Sequence, residues 1–260
     1  MISIIPDIND LKGSVELAEK IGAQFEYNDF FKPNVLLDDD LFKSVIEQYK
    51  QLDRDRSKDT LHGAFFDIVL NSTDAGIRAC SIDRVRKSME AAAALSCRGV
   101  VFHTNYLTGF KSNSYRYKWV MDHAEFYTAL AEEYRGINIY IENMFDDTPE
   151  LLRRLCDSMK DVPNFGVCFD IAHANLWSMP LKGWIETLGP YIRHMHVNDN
   201  FGDEDSHMAV GEGSLNWQAM NDPIIQKAAP SVLIEVKSHD KALSSYEYLK
   251  ANKIYPFTDF

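Results

Sequence analysis

No two cysteines in the sequence form a C-x-x-C clip. The four present, Cys80, Cys97, Cys156 and Cys168, are scattered along the chain. This excludes a thiolate zinc finger or a disulfide scaffold and points to reduced thiols in a cytoplasmic protein. No apolar stretch nears membrane-spanning length, and MISIIPDIND lacks the basic start and apolar run of a signal peptide, so no membrane contact is expected. Basic residues are outnumbered, with 27 Lys and Arg against 39 Asp and Glu and a formal net charge of -12. Such a surface gives nucleic acid little to hold unless a local basic patch or a bound metal reverses the field. Low-complexity tracts and linkers are also missing, so residues 1–260 read as one domain.

What the sequence does have is alternation. Short apolar runs suggest strands at Ile2–Ile5, Ala23–Tyr27, Thr60–Phe65, Gly99–His103, Ile137–Glu142, Phe165–Asp170, Ile192–Asn198 and Val232–Val236. Amphipathic stretches between them suggest helices at Gly13–Ile21, Asp38–Leu52, Ile77–Ser96, Tyr117–Tyr134, Pro149–Met159, Leu181–Leu188, Trp217–Ala228 and Lys241–Ala251. Thr148 and Pro149 read as the cap and first residue of one of them. Eight strand–helix units in a chain of this length predict an α/β protein with a (β/α)8 barrel, with a doubly wound sheet as the alternative.

A barrel does its chemistry at the C-terminal ends of its strands. Polar residues gather there: His62, His103, Glu142 with Asn143, Asp170 with His173, His196, and Glu235. The loop FGDEDSHMAVGEG adds Asp205 and His207. Any one of these alone is more often a hydrogen-bonded structural residue than a ligand. Four carboxylates on one rim would repel each other, however, and nearby divalent cations with nitrogen and oxygen ligands resolve that repulsion. Cys168 reads as a core thiol, and His123 and His239 read as solvated.

The strings LHGAFFDIVLNS, VVFHTNY, YIENMF, VCFDIAHA, HMHVND, DSHMAVGEG and LIEV resemble the xylose-isomerase-like barrel superfamily, from about Leu61 to Val236. That superfamily holds sugar-phosphate isomerases and epimerases and the abasic-site nuclease endonuclease IV. The resemblance implies a core metal site on Glu142, Asp170, His196 and Glu235. In endonuclease IV-like members a second metal uses the positions of His62 and His103, sharing Glu142. A third uses those of His173, Asp205 and His207. One to three divalent metals per chain are therefore expected, with zinc, manganese or iron suited to the donor set.

The resemblance also implies a sugar, sugar-phosphate or cyclitol isomerase or epimerase. Glu142 and Glu235 would exchange a proton at the carbon next to a metal-bound carbonyl, and Glu26, Trp177 and Lys237 would line the substrate pocket. Lys111, Arg116 and Lys118 could meet a phosphate, or could simply open a helix. The alternatives are an abasic-site nuclease with a multinuclear zinc site and a sugar-acid lyase or dehydratase. The acidic surface, and the string Asn-Met-Phe-Asp-Asp-Thr-Pro after Glu142, weigh against the nuclease and against a nucleic-acid partner. A homo-oligomer remains open.

Overall fold

The computed structural model describes residues 1–258. Eight parallel strands close into a barrel in sequential order. They are β1 (Ile2–Ile4), β2 (Gln24–Tyr27), β3 (Thr60–His62), β4 (Gly99–His103), β5 (Asn138–Glu142), β6 (Phe165–Asp170), β7 (Ile192–Val197) and β8 (Ser231–Ile234). Pairing of β1 with β8 closes the ring, which rules out the open doubly wound sheet. The strands are buried on both faces because helices cover the outside, which is why they read as apolar runs rather than as clean alternation.

The helices are α1 (Leu11–Ile21), α2 (Pro33–Leu37), α3 (Asp39–Lys50), α4 (Ala75–Ala94), α5 (Asn113–Glu133), α6 (Glu150–Ser158), α7 (Ile171–Asn175), α8 (Leu181–Leu188), α9 (Pro223–Ala228) and α10 (His239–Ala251). Their start signals are local. Asp10, Asp38, Asp74, Ser112, Asp170, Asp222 and Ser238 each accept a hydrogen bond from a first-turn amide. At α6 the cap position falls on Pro149 rather than Thr148, and no side chain caps it. The short helices α2 and α7 add to the expected set, and Trp217–Ala228 divides into a 3-10 turn (Trp217–Asn221) and α9. No described helix is long and apolar enough to cross a membrane.

The connection from β7 to α9 is the longest excursion near the site, and buried Asp199 holds it. The Asp199 carboxylate accepts from the amides of Asn200, Gly211 and Leu215 and from the Trp217 indole at 2.8–3.2 Å. Its backbone pairs with Met208 in an isolated antiparallel bridge. Gly213 has to be glycine, because a Cβ there would lie 2.3 Å from Asp199 Oδ1 and 2.4 Å from the Asn200 carbonyl. Gly211 adopts φ +92°, with the Tyr248 ring against it. The G-E-G string is thus the base of a bracket that carries Asp205 and His207.

Candidate metal centre

Glu142 closes β5, Asp170 closes β6, His196 is the penultimate residue of β7, and Glu235 comes directly after β8. Register brings them to one level, since Asp170 pairs with His196 and His103 pairs with Glu142. Donor atoms of Glu142, Asp170, His196 and Glu235 all lie within 4.8 Å of one another, and every one of these residues is buried. His196 Nδ1 is 3.2 Å from Glu142 Oε2 and 3.3 Å from Glu235 Oε2. Even so, both Glu142 oxygens and both His196 nitrogens are buried without an aligned hydrogen bond. Buried polar groups are normally satisfied. Here, convergent oxygen and nitrogen donors left unsatisfied fit a divalent cation.

Asp170 also organises the turn beyond β6. Its Oδ1 accepts from the His173 amide at 2.6 Å, capping α7 and placing His173 beside the cluster. Asn143 braces Asp170 from the neighbouring strand end, donating to its carbonyl and accepting from its amide.

Burial and the neighbouring charges act against each other in the cluster. Burial pushes the Asp170 carboxyl up to about 7, with Glu142 and Glu235 adding to the rise against the pull of His173 and His196. Burial also opposes ionisation of Glu142, but His196 and His103 hold it well below the ordinary carboxylate range. Burial alone would lower His196, yet the anionic groups around it, Glu142, Glu26 and Glu235 among them, raise it well above an ordinary imidazole. A divalent ion would take over the role of those protons, so binding should release them.

The flanking donors fall into two groups. His62 Nε2 and His103 Nε2 face each other at 3.0 Å, and each approaches Glu142 Oε2, at 3.8 and 3.2 Å. His62 is lowered to about 4, mainly by burial and then by the neighbouring His103. Asp205 Oδ2 lies 3.4 Å from His173 Nε2 and 3.1 Å from His207 Nε2. The rear nitrogens are occupied. Nδ1 of His62, His173 and His207 faces the backbone carbonyls of Gly63, Asn143 and Glu235 at 2.8–3.1 Å. His103 Nδ1 faces Met144 Sδ at 2.7 Å. Hydrogen bonds from behind of this kind fix the tautomer, so Nε2 is presented forward.

A cavity of about 660 Å³ opens above the cluster. Its lining includes His62, His103, His173, Asp205, His207, Glu235 and Lys237, with apolar walls from Phe31, Phe65 and Met144. Lys237 is on this lining and Glu26 is not. Glu26 is fully buried below the cluster, where its Oε2 accepts from Thr60 and faces His194. Trp177 is also off the lining, because it lies just past α7 and turns outward, 36% exposed. Nor does the Lys111–Lys118 stretch reach the cavity. Arg116 bonds the Tyr106 hydroxyl and Lys118 pairs with Asp122 at the start of α5. His123, expected in solvent, is buried and stacked on Trp119, and His239 is half-buried against Ser14. Sequence patterns alone assign no role to His194, Met144 or Asn198. Asn198 spans Asp170 Oδ2 and Glu235 Oε2 at 3.4 and 3.5 Å. Its place two residues beyond His196 is the signal that could have found it.

Comparison with known proteins agrees with this fold. Residues 15–252 match the family described as xylose isomerase-like TIM barrel. An uncharacterized protein of Methanocaldococcus jannaschii, MJ1311, is 31% identical over 212 residues, covering 76% of this chain and 71% of that protein. The structure of a D-tagatose 3-epimerase-like protein superposes with a TM-score of 0.74 at 25% identity, over 96% of both chains. The Thermus thermophilus TTHB071 protein, from a crystal soaked with ZnCl2, gives 0.76 at 23% identity over 97% of this chain and 99% of that one.

Proposed function

The chain belongs to the xylose isomerase-like TIM barrel family, and from that membership we propose that it is a metal-dependent isomerase or epimerase of a sugar-like substrate. The observation that carries this reading is the pair Glu142 and Glu235. Both approach one buried imidazole nitrogen, and Glu235 also lines the cavity.

Glu142, Asp170, His196 and Glu235 would hold the core ion. His62 with His103, and His173 with Asp205 and His207, would hold up to two more. Zinc, manganese or iron suits these donors. A bound ion supplies Lewis acidity, which makes the C–H next to a substrate carbonyl easier to ionise. The two glutamates are then placed to remove a proton and return one. Glu235 is the better candidate for the base, since Glu142 already faces His196, His103 and His173. Phe31, Phe65 and Met144 keep bulk water from part of the site. Lys237 is positioned to orient a substrate oxygen or anionic group from the rim.

A nuclease of the endonuclease IV type is the second reading. It is favoured by the meeting of all three donor groups around one cavity and opposed by the net charge of -12. The test is metal analysis of protein purified without chelator, then incubation with ketoses, inosose-type cyclitols and abasic-site DNA in deuterated water. Deuterium should appear at the carbon next to the carbonyl of the correct sugar and disappear when metal is stripped. Cutting of abasic DNA at ordinary enzymatic rates, with no carbon-bound exchange in any sugar, would reverse the assignment.

A further inference from the structure

His196 differs from the other histidines of the centre. His62, His173 and His207 turn Nδ1 to a backbone carbonyl, and His103 turns it to a thioether, so all four present Nε2. His173 Nδ1 also lies 3.2 Å from Glu142 Oε1, but only His196 turns an Nδ1 with no carbonyl or thioether partner to both Glu142 and Glu235. Its rear nitrogen, Nε2, faces the carboxylate Oε1 of Glu26 at 3.0 Å. Both atoms are buried and neither is hydrogen-bonded elsewhere. Glu26 comes from β2, on a strand that supplies none of the candidate ligands, and is fully buried.

The surroundings of Glu26 fix which way its hydrogen bonds run. Arg98, at the opposite end of the barrel, can only donate, and its Nη2 donates to Ser231 Oγ. The Ser231 hydroxyl is then left to donate to His194 Nδ1, 2.6 Å away. His194 accordingly carries its proton on Nε2 and donates to Glu26 Oε2 at 2.9 Å. The Thr60 hydroxyl donates to that same oxygen at 2.6 Å. Oε2 is thus fully used by two donors, and Oε1 is left as an acceptor aimed at His196 Nε2.

We propose that Glu26 is a positioning residue of the metal centre, holding the His196 proton on Nε2 so that the Nδ1 lone pair faces the metal. The polar column from Arg98 through Ser231 and His194 keeps that carboxylate oriented. This inference rests on the metal-binding reading of Glu142, Asp170, His196 and Glu235. Carboxylate–histidine–metal arrangements of this kind typically change metal affinity by about 10–100-fold when broken.

Two measurements test it. The first is the affinity of folded apo protein for Zn²⁺ and Co²⁺, measured by competition with a chromophoric chelator. Glu26→Gln, which keeps shape and loses charge, should weaken binding about 10–100-fold and alter the visible spectrum of the Co²⁺ form. Unchanged affinity and spectrum in Glu26→Gln, with a wild type that binds tightly, would overturn the role of Glu26 and leave the metal centre standing. Wild-type protein that takes up neither ion would overturn both. The second measurement needs no variant. The ¹⁵N resonances of His196 in the Zn²⁺-loaded wild type should show a protonated Nε2 and a metal-bound Nδ1. The reverse assignment overturns the proposal even if Glu26→Gln fails to fold.

Discussion

Two layers of buried carboxylate and imidazole are stacked inside this barrel, two residues apart on β7. In the lower layer, His194 has Ser231 on one nitrogen and Glu26 on the other, and Thr60 completes the set. In the upper layer, His196 and Glu142 crowd against Glu235 with no aligned hydrogen bond of their own. The residue types are the same and the burial is the same. The lower layer satisfies its own groups except Glu26 Oε1, which it turns up toward His196. The upper layer leaves several donors unpaired, and on the proposed reading a divalent ion would complete it.

The sharpest way to break this comparison is to empty the upper layer. A Glu142→Ala, Glu235→Ala variant should lose the core metal and, with it, about 10⁴-fold or more of the proton-exchange activity. Elemental analysis and deuterium incorporation read the two effects separately, and retention of metal by the variant would rule out this donor set.

A milder change separates binding from chemistry. Glu235→Gln removes the base while nearly keeping its shape. Exchange should fall by about 10²–10⁴-fold, with substrate affinity altered only a few-fold. An equal loss in both would make Glu235 a binding group only.

His123 provides a buried imidazole outside both layers. Its Nδ1 faces the Trp119 carbonyl at 2.7 Å, and no carboxylate among the described residues is hydrogen-bonded to it. Burial lowers its pKa to about 4. The unfolded chain therefore binds a proton near pH 6.5 that the folded protein refuses until about pH 4. Stability from this group is complete above pH 6.5 and lost as pH falls to about 4, on the order of 3 kcal/mol in all. Wild type and His123→Gln, unfolded by urea across this range, should diverge by about that amount in total between pH 6.5 and 4, and parallel curves would mean His123 is already charged when folded.

The smallest effect belongs to the lower layer. Ser231→Ala leaves His194 Nδ1 without its partner and should cost about 1–3 kcal/mol of stability. Any loss of metal affinity should be smaller than in Glu26→Gln. If Ser231→Ala instead abolished metal binding while sparing stability, the division into two layers would fail.

Much of this is legible in the sequence because a barrel converts strand ends into a ring. Glu142, Asp170 and His196 can be placed by counting to the end of each apolar run. Depth is harder to read. Glu26 reads as a pocket residue, but only register shows that it pairs with Thr60 at the start of β3, below His62. Polarity makes His123 look solvated. Its spacing from Trp119, Val120 and Tyr127 nevertheless marks the inner face of α5, and that signal was there to be used. The short helix α7 stays hidden because Asp170 is both its cap and a candidate ligand, and a single residue gives no sign of doing two jobs.

The bracket built on Asp199 bears on how such an enzyme could diversify. It clamps the β7–α9 excursion at Asn200, Met208, Gly211, Leu215 and Trp217, so the tip between residues 201 and 206 is slung between fixed posts. Insertions, deletions or exchanges in that tip would leave the barrel and the core donors untouched while reshaping the wall around Asp205. Lineages could therefore trade one substrate for another by editing half a dozen residues, and the fold would not have to be reinvented.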